Sequence, residues 1–140
     1  MNNSAFEEKV RSIDWTKYLE PEYYNPEKMD YRPDRTIKAL IQLNRFDADD
    51  SKVGFGSGII SEVLFAIGND HRGTYYPAAL EAIDLIIEIE KHSESEAARK
   101  CAFDTLGDLY YFQLELGSND KQLFEAIENT IKEKLLPYAH

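Results

Sequence analysis

Asp104 and Asp108 stand one helical turn apart, the spacing at which two carboxylates can share general acid and base work. Tyr111 and Glu115 continue the same row at steps of 4, 3 and 4 residues, so the row reads as the solvated face of a helix carrying an aromatic anchor. An enzyme built on this pair would need His71 to converge with Asp104 and Asp108 in one pocket. Cys101 is the single cysteine and could pair with His71 or His92 as a nucleophile. Its place on the apolar face of a helix instead predicts a buried, inert thiol.

Metal chemistry finds little to work with. Asp47, Asp49 and Ser51 begin an alternation of oxygen ligands suited to a hard cation, but Lys52 stands where the loop needs glycine and Gly58 where a closing glutamate belongs. His71, His92 and His140 form no pair at metal-ligand spacing. Gly54, Gly56 and Gly58 follow a helix rather than a strand and lack the lysine of a phosphate loop. The sequence therefore predicts no catalytic residue, no cofactor and no metal site.

Charge narrows the partners. Sixteen basic residues against 26 acidic ones give a formal charge of -10 over 140 residues, which repels nucleic acid and anionic lipid alike. Such acidity either keeps the protein soluble or matches a basic protein partner. Tyrosine occurs nine times, with adjacent pairs at Tyr23-Tyr24, Tyr75-Tyr76 and Tyr110-Tyr111, and its large ring with a polar tip suits contact surfaces. A lone cysteine excludes an intrachain disulfide, and Met1 to Lys9 has no export signature, so a reducing cytoplasm is expected.

The elements that must position these residues read as helices, with no sheet. Pro33 and Asp34 open a helix whose apolar residues are Ile37, Leu40, Ile41 and Leu43. Asp47 to Gly58 reads as a loop before an almost wholly apolar, hence central, helix from Ile59 to Ile67. Gly68 to Thr74 is a polar joint, and Pro77 opens a second central helix with Glu81, Asp84, Glu88 and Lys91 as its narrow wet strip. Ser93 with Glu96 forms a capping box for a helix running through Cys101 and Leu109 to a stop at Gly117. Ser118 caps the last helix, with Leu123, Phe124, Ile127, Ile131 and Leu135 inward, Glu125, Glu128, Lys132 and Glu133 outward, and an end at Pro137.

Alternate helices recur. Their starts near Asp34, Pro77 and Asn119 lie 43 and 42 residues apart, within the period of about 40 to 47 that HEAT-type helix pairs show. The expectation is an all-α single domain, a short helical repeat array, with an irregular helical bundle as the alternative. Residues 1–32, opened by a Ser4/Glu7 capping box and carrying Trp15, Tyr18, Tyr23, Tyr24 and Tyr31, are expected to form an aromatic N-terminal cap, with a partner-binding surface as the alternative. Residues 33–117 hold two helix pairs and 118–137 the C-terminal capping helix.

One stretch resembles a known family. In GNDHRGTYYPAAL, from Gly68 to Leu80, Asn69, His71, Gly73, Thr74, Tyr76, Pro77 and Ala78 match the loop that opens a central helix in bacterial HEAT-like proteins, and the similarity extends to Leu116. Proteins of this type often accompany toxin genes. The resemblance therefore implies an immunity protein that binds and blocks a cognate toxin, as in contact-dependent inhibition, and the charge suggests a basic nuclease. The family has no fixed catalytic residues to transfer, and Asn69, Thr74 and Pro77 also read as plain loop and helix-start residues. A general adaptor without inhibitory role is the alternative. The residues expected to meet the partner are Asp104, Asp108 and Tyr111, then Asp70, His71 and Tyr75 on the neighbouring loop.

Overall fold

The computed structural model describes residues 2–48, 54–115 and 121–139. Helix α1 (Asn3–Ser12) starts the chain, capped by Asn2, whose Oδ1 accepts from the Ala5 amide at 2.7 Å. The cap expected at Ser4 thus falls two residues earlier. A 3-10 turn (Trp15–Leu19) and an irregular stretch lead to α2 (Pro33–Arg45), with Pro33 at its first position as its fixed φ and missing donor favour. Helix α3 (Ser57–Ala66) begins earlier than the apolar run predicts. It is only half sunk, since Ile59, Ile60 and Phe65 keep part of their surface in water.

The joint after α3 is a hairpin. Strand β1 (Gly68–Asn69) pairs antiparallel with β2 (Thr74–Tyr75), and β2 pairs in parallel with β3 (Gln113–Leu114). This small sheet corrects the expectation of no strands: two-residue strands are too short to show any alternation. A Cβ on Gly68 would collide with the Thr74 carbonyl, so the hairpin closes only around glycine.

Helix α4 (Ala79–His92) starts two residues after Pro77, whose carbonyl accepts from Leu80 at 3.0 Å. It is the central helix, packing on α2, α5 and α6 and burying Ala82, Ile83, Leu85, Ile86 and Ile89. Each such Leu or Ile contributes about 1.5–3 kcal/mol of burial. Helix α5 (Glu96–Tyr110) is capped by Ser95, which accepts from the Ala98 amide at 3.1 Å, not by Ser93. Ser93 is buried and donates to the Asn44 carbonyl at 3.1 Å. The chain leaves α5 for β3 well before Gly117, which with Ser118 lies outside the described residues.

Helix α6 (Lys121–Leu135) buries Phe124, Ile127, Ile131 and Leu135 and ends in a 3-10 turn around Pro137. Two of its outward residues turn in. Lys132 Nζ donates to the Tyr110 and Phe112 carbonyls, and Glu128 accepts from the Leu114 amide at 2.8 Å, fastening α6 to the end of α5 and to β3. The aromatic cap joins the core, with Trp15, Tyr18 and Tyr31 buried, and Trp15 Nε1 donates to the Val10 carbonyl at 3.0 Å. Among the described residues no helix is long and apolar enough to cross a membrane.

Candidate functional site

Helix α5 sets the site because its two sides differ so sharply. Ala98, Cys101, Ala102, Thr105, Leu106 and Leu109 are buried, while Glu96, Lys100, Phe103, Asp104, Asp108 and Tyr111 face water. Two large rings lie open in this row, Phe103 at 42% and Tyr111 at 62% exposure. An exposed ring every second turn, with carboxylates between, sets large contact area beside negative charge. Asp104 lies about 10 Å from Tyr111 along the helix at 1.5 Å per residue.

A groove of about 620 Å³ runs beside the first half of this row. Phe55, Glu90, Glu96, Phe103 and Asp104 are among its lining. Both rings are held from behind. Phe103 meets Tyr138 edge to face with centroids 5.8 Å apart, and the Tyr138 hydroxyl donates to Glu90 Oε2 at 3.3 Å. Phe55 leans on Phe46 at 5.8 Å, and the turn carrying it bends at Gly56, where φ is +72° and a Cβ would strike the Cys101 sulfur. Of the two cations in the groove, Arg99 donates to the Ser93 carbonyl at 2.5 Å and Lys100 pairs with Glu96 at 3.8 Å. Asp104 has no hydrogen bond or ion pair to any described residue.

Cys101 is buried beneath this face, and burial pushes its thiol up to about 11, with the charge of Asp104 adding to the shift. A thiol held protonated at neutral pH is a poor nucleophile.

The expected contact residues separate into three groups. Asp104, Asp108 and Tyr111 share the exposed face of α5. Asp70 and His71 occupy the hairpin turn, which β2–β3 pairing brings to the same end of the molecule as the C-terminus of α5. His71 is exposed and packs edge to face on Phe65 at 4.9 Å, and Asp70 accepts from the Ser61 hydroxyl at 3.5 Å. Tyr75 does not belong with them, because it is fully buried under Lys132, whose Nζ lies 5.6 Å from its ring centre. The residue sits on a strand, not a helix, and its neighbour Tyr76 is buried as well. Glu115 also leaves the predicted acidic row, being 4% exposed and paired with Arg72 at 2.9 Å.

Phe103 and Phe55 were not expected at the surface. Phe103 precedes Asp104 in the α5 row, which is the one signal that could have exposed it, while Phe55 carries none. The groove that Asp104 lines contains neither Asp108 nor His71. Among the described residues no group of three or more His, Cys, Asp or Glu is arranged to hold a metal ion. Comparisons with protein family models, curated proteins and solved structures return no match for this chain.

Proposed function

We propose that this chain acts by binding a basic protein through the outer face of α5, and that the partner is a toxin domain which it neutralises by occlusion. The observation that carries the binding reading is the exposed set Phe103, Asp104, Asp108 and Tyr111, in which two exposed rings flank two carboxylates. Open aromatic area anchors an interface, and an acidic surround steers a basic partner onto it. The overall charge of -10 extends that field well beyond the contact.

The toxin reading rests on the resemblance of Gly68 to Leu80 to bacterial HEAT-like immunity proteins. The arrangement of helices is compatible with it: α2 packs on α4 and α4 on α6, while α3 and α5 pack together as a second row. Two rows of alternating helices are what a short HEAT-type array would produce. In this reading the protein works in the cytoplasm, where a toxin would meet its targets.

Copurification from the native host followed by mass spectrometry tests the proposal. The expected partner is a basic protein whose isolated domain is toxic when expressed alone and harmless when expressed with this chain. A basic partner without toxicity would leave the binding reading and remove the inhibitory one. An acidic partner, or none, would remove both.

A further inference from the structure

We infer that the cleft between α1 and α2 is a separate binding site, which takes a free carboxylate carried on an aliphatic chain of medium length. Arg11 of α1 and Asp34, Ile37, Lys38, Ile41 and Gln42 of α2 line a space of about 340 Å³, within the size range of small-ligand sites. None of these residues belongs to the α5 row, so this occupant is independent of the partner proposed there. The α2 residues follow one another at steps of three, one, three and one, which sets them on one helix face; those three or four apart have Cβ atoms about 5–6 Å from each other. Ile41 is 8% exposed and Ile37 half-buried, and they supply the apolar lining, while Arg11, Asp34, Lys38 and Gln42 are exposed.

Charge selects the occupant. Arg11 and Lys38 have no side-chain hydrogen bond or ion pair to any described residue, and Asp34 is the one carboxylate in the lining. This positive balance runs against the charge of the chain. The linings at Phe55 and Phe103 and at Asn44 and Glu94 hold more carboxylates than cations, and in the groove between α2 and α3 Lys38 is matched by Glu62. A guanidinium and an ammonium on long stems can each turn to a carboxylate, while the isoleucine side chains take its hydrocarbon tail out of water. The tail supplies most of the affinity, because exposed ion pairs are screened, and the cations set the sign. A free molecule fits better than an anionic bilayer, which would meet the charge of -10 over the whole surface, whereas a single carboxylate meets only the local field. Asp34 opposes the anion, so it is the lining group whose neutralisation should tighten binding.

The test titrates octanoate, butanoate and octyltrimethylammonium into the 15N-labelled full chain at fixed ionic strength. Octanoate is expected to give saturable shifts at the amides of Arg11, Ile37, Lys38 and Ile41, with a dissociation constant of about 1–10 mM. Butanoate should bind about tenfold more weakly for want of four methylenes, and the cationic amphiphile should leave these amides unmoved. Lys38→Gln is expected to weaken octanoate binding about threefold and Asp34→Asn to tighten it about twofold; both residues are exposed, so an otherwise unchanged spectrum reports an intact fold. Equal response to octyltrimethylammonium, shifts scattered over the surface, absence of saturation, or weaker binding by Asp34→Asn would overturn the assignment. Tighter binding of the blocked peptide acetyl-Glu-Leu-Leu-Glu-amide at the same amides would also overturn it, giving the cleft to an acidic protein segment. None of these results bears on α5, where capture of a basic partner tests the functional reading separately.

Discussion

The Arg72 guanidinium reaches the carboxylate of Glu115 at 2.9 Å, one partner half exposed and the other 4% exposed. This pair ties the turn of the β1–β2 hairpin to the segment after β3, beside the Glu115 amide that donates to the Tyr75 carbonyl at 2.8 Å. A carboxylate taken from water and then stripped of its cation keeps its desolvation cost without return. Arg72→Ala is therefore expected to destabilise the protein by about 1–2 kcal/mol, below the figure for a fully buried pair because water already screens Arg72. Adding Glu115→Gln should recover part of the loss. Urea unfolding of the three variants measures this, and an Arg72→Ala curve superimposed on the parent would refute the role given to the pair.

Lys132 offers a second lock. Its Nζ supplies a donor to the Tyr110 and Phe112 carbonyls and lies over the rings of Tyr75 and Tyr110 at 5.6 and 5.5 Å. Lys132→Met keeps the aliphatic stem but removes both hydrogen bonds, at an expected cost of about 2 kcal/mol. Glu133→Ala, one residue on and exposed, should change stability by less than about 0.5 kcal/mol. The contrast between these neighbours in thermal unfolding is the check.

Alkaline pH should unfold the protein for a reason that can be traced to its tyrosines. Burial holds the hydroxyls of Tyr18, Tyr31, Tyr75, Tyr76 and Tyr138 protonated above their ordinary 10.0. The folded state thus keeps protons that the unfolded chain releases, so this contribution is complete below pH 10 and is lost as pH rises beyond it. Lys132 works in the opposite sense: burial lowers it from 10.5, so its share of stability grows as the pH climbs towards 10.5. The raised Cys101 thiol and Lys17 amine act with the five phenols against Lys132, which leaves a net fall. Denaturant midpoints should decline above about pH 10, with the tyrosinate absorbance of these five buried rings appearing together with unfolding rather than before it.

Much of this architecture is legible in the sequence, and what is hidden has physical causes. Pro33 at the start of α2 and the row Phe124, Ile127, Ile131, Leu135 in α6 are local signals, set by backbone geometry and a period of 3.6. The expected cap at Ser93 falls to Ser95: Ser93 Oγ donates to the Asn44 carbonyl and accepts from the Ser95 amide just ahead of the helix, while Ser95 Oγ donates to the Phe46 carbonyl and accepts from the Ala98 amide, so tertiary contacts place both hydroxyls. Lys132 and Glu128 look solvent-facing by period, yet both answer backbone groups at the end of α5 and in β3 that no helical wheel contains. The site divides along the same line. The exposure of Asp104, Asp108 and Tyr111 follows from helical spacing, whereas the burial of Tyr75 depends on pairing with a strand nearly forty residues further along the chain.

Gly56 couples the groove to the core. Its φ of +72° lies in the left-handed region, and a methyl group there would run into the buried Cys101 sulfur. Gly56→Ala is expected to cost about 2 kcal/mol, part from backbone strain and part from the collision. Cys101→Ala alone removes a buried atom and should cost about 1 kcal/mol, but it also clears the space that the alanine methyl needs. The double variant should accordingly be more stable than the sum of the single losses requires, by about 0.5 kcal/mol or more in a double-mutant cycle. Strict additivity would place the whole effect in the backbone and show that contact with Cys101 is not what selects glycine.

The row on α5 makes the sharpest claim about function. Asp104 is exposed, and reversing it to lysine on a helix that buries its opposite side should leave folding within about 0.5 kcal/mol of the parent. Binding should respond very differently, because each reversal both removes an attraction to a basic surface and adds a repulsion. The double reversal Asp104→Lys with Asp108→Lys is expected to weaken the complex at least a hundredfold, mostly by slowing association, and to reduce the salt dependence of that rate. Tyr111→Ala should instead speed dissociation, since an anchoring ring contributes short-range contact rather than steering. Stopped-flow association at low and high ionic strength, run on these variants with the copurified partner, distinguishes the two. Unchanged association in the double reversal would mean that the partner docks elsewhere on the molecule.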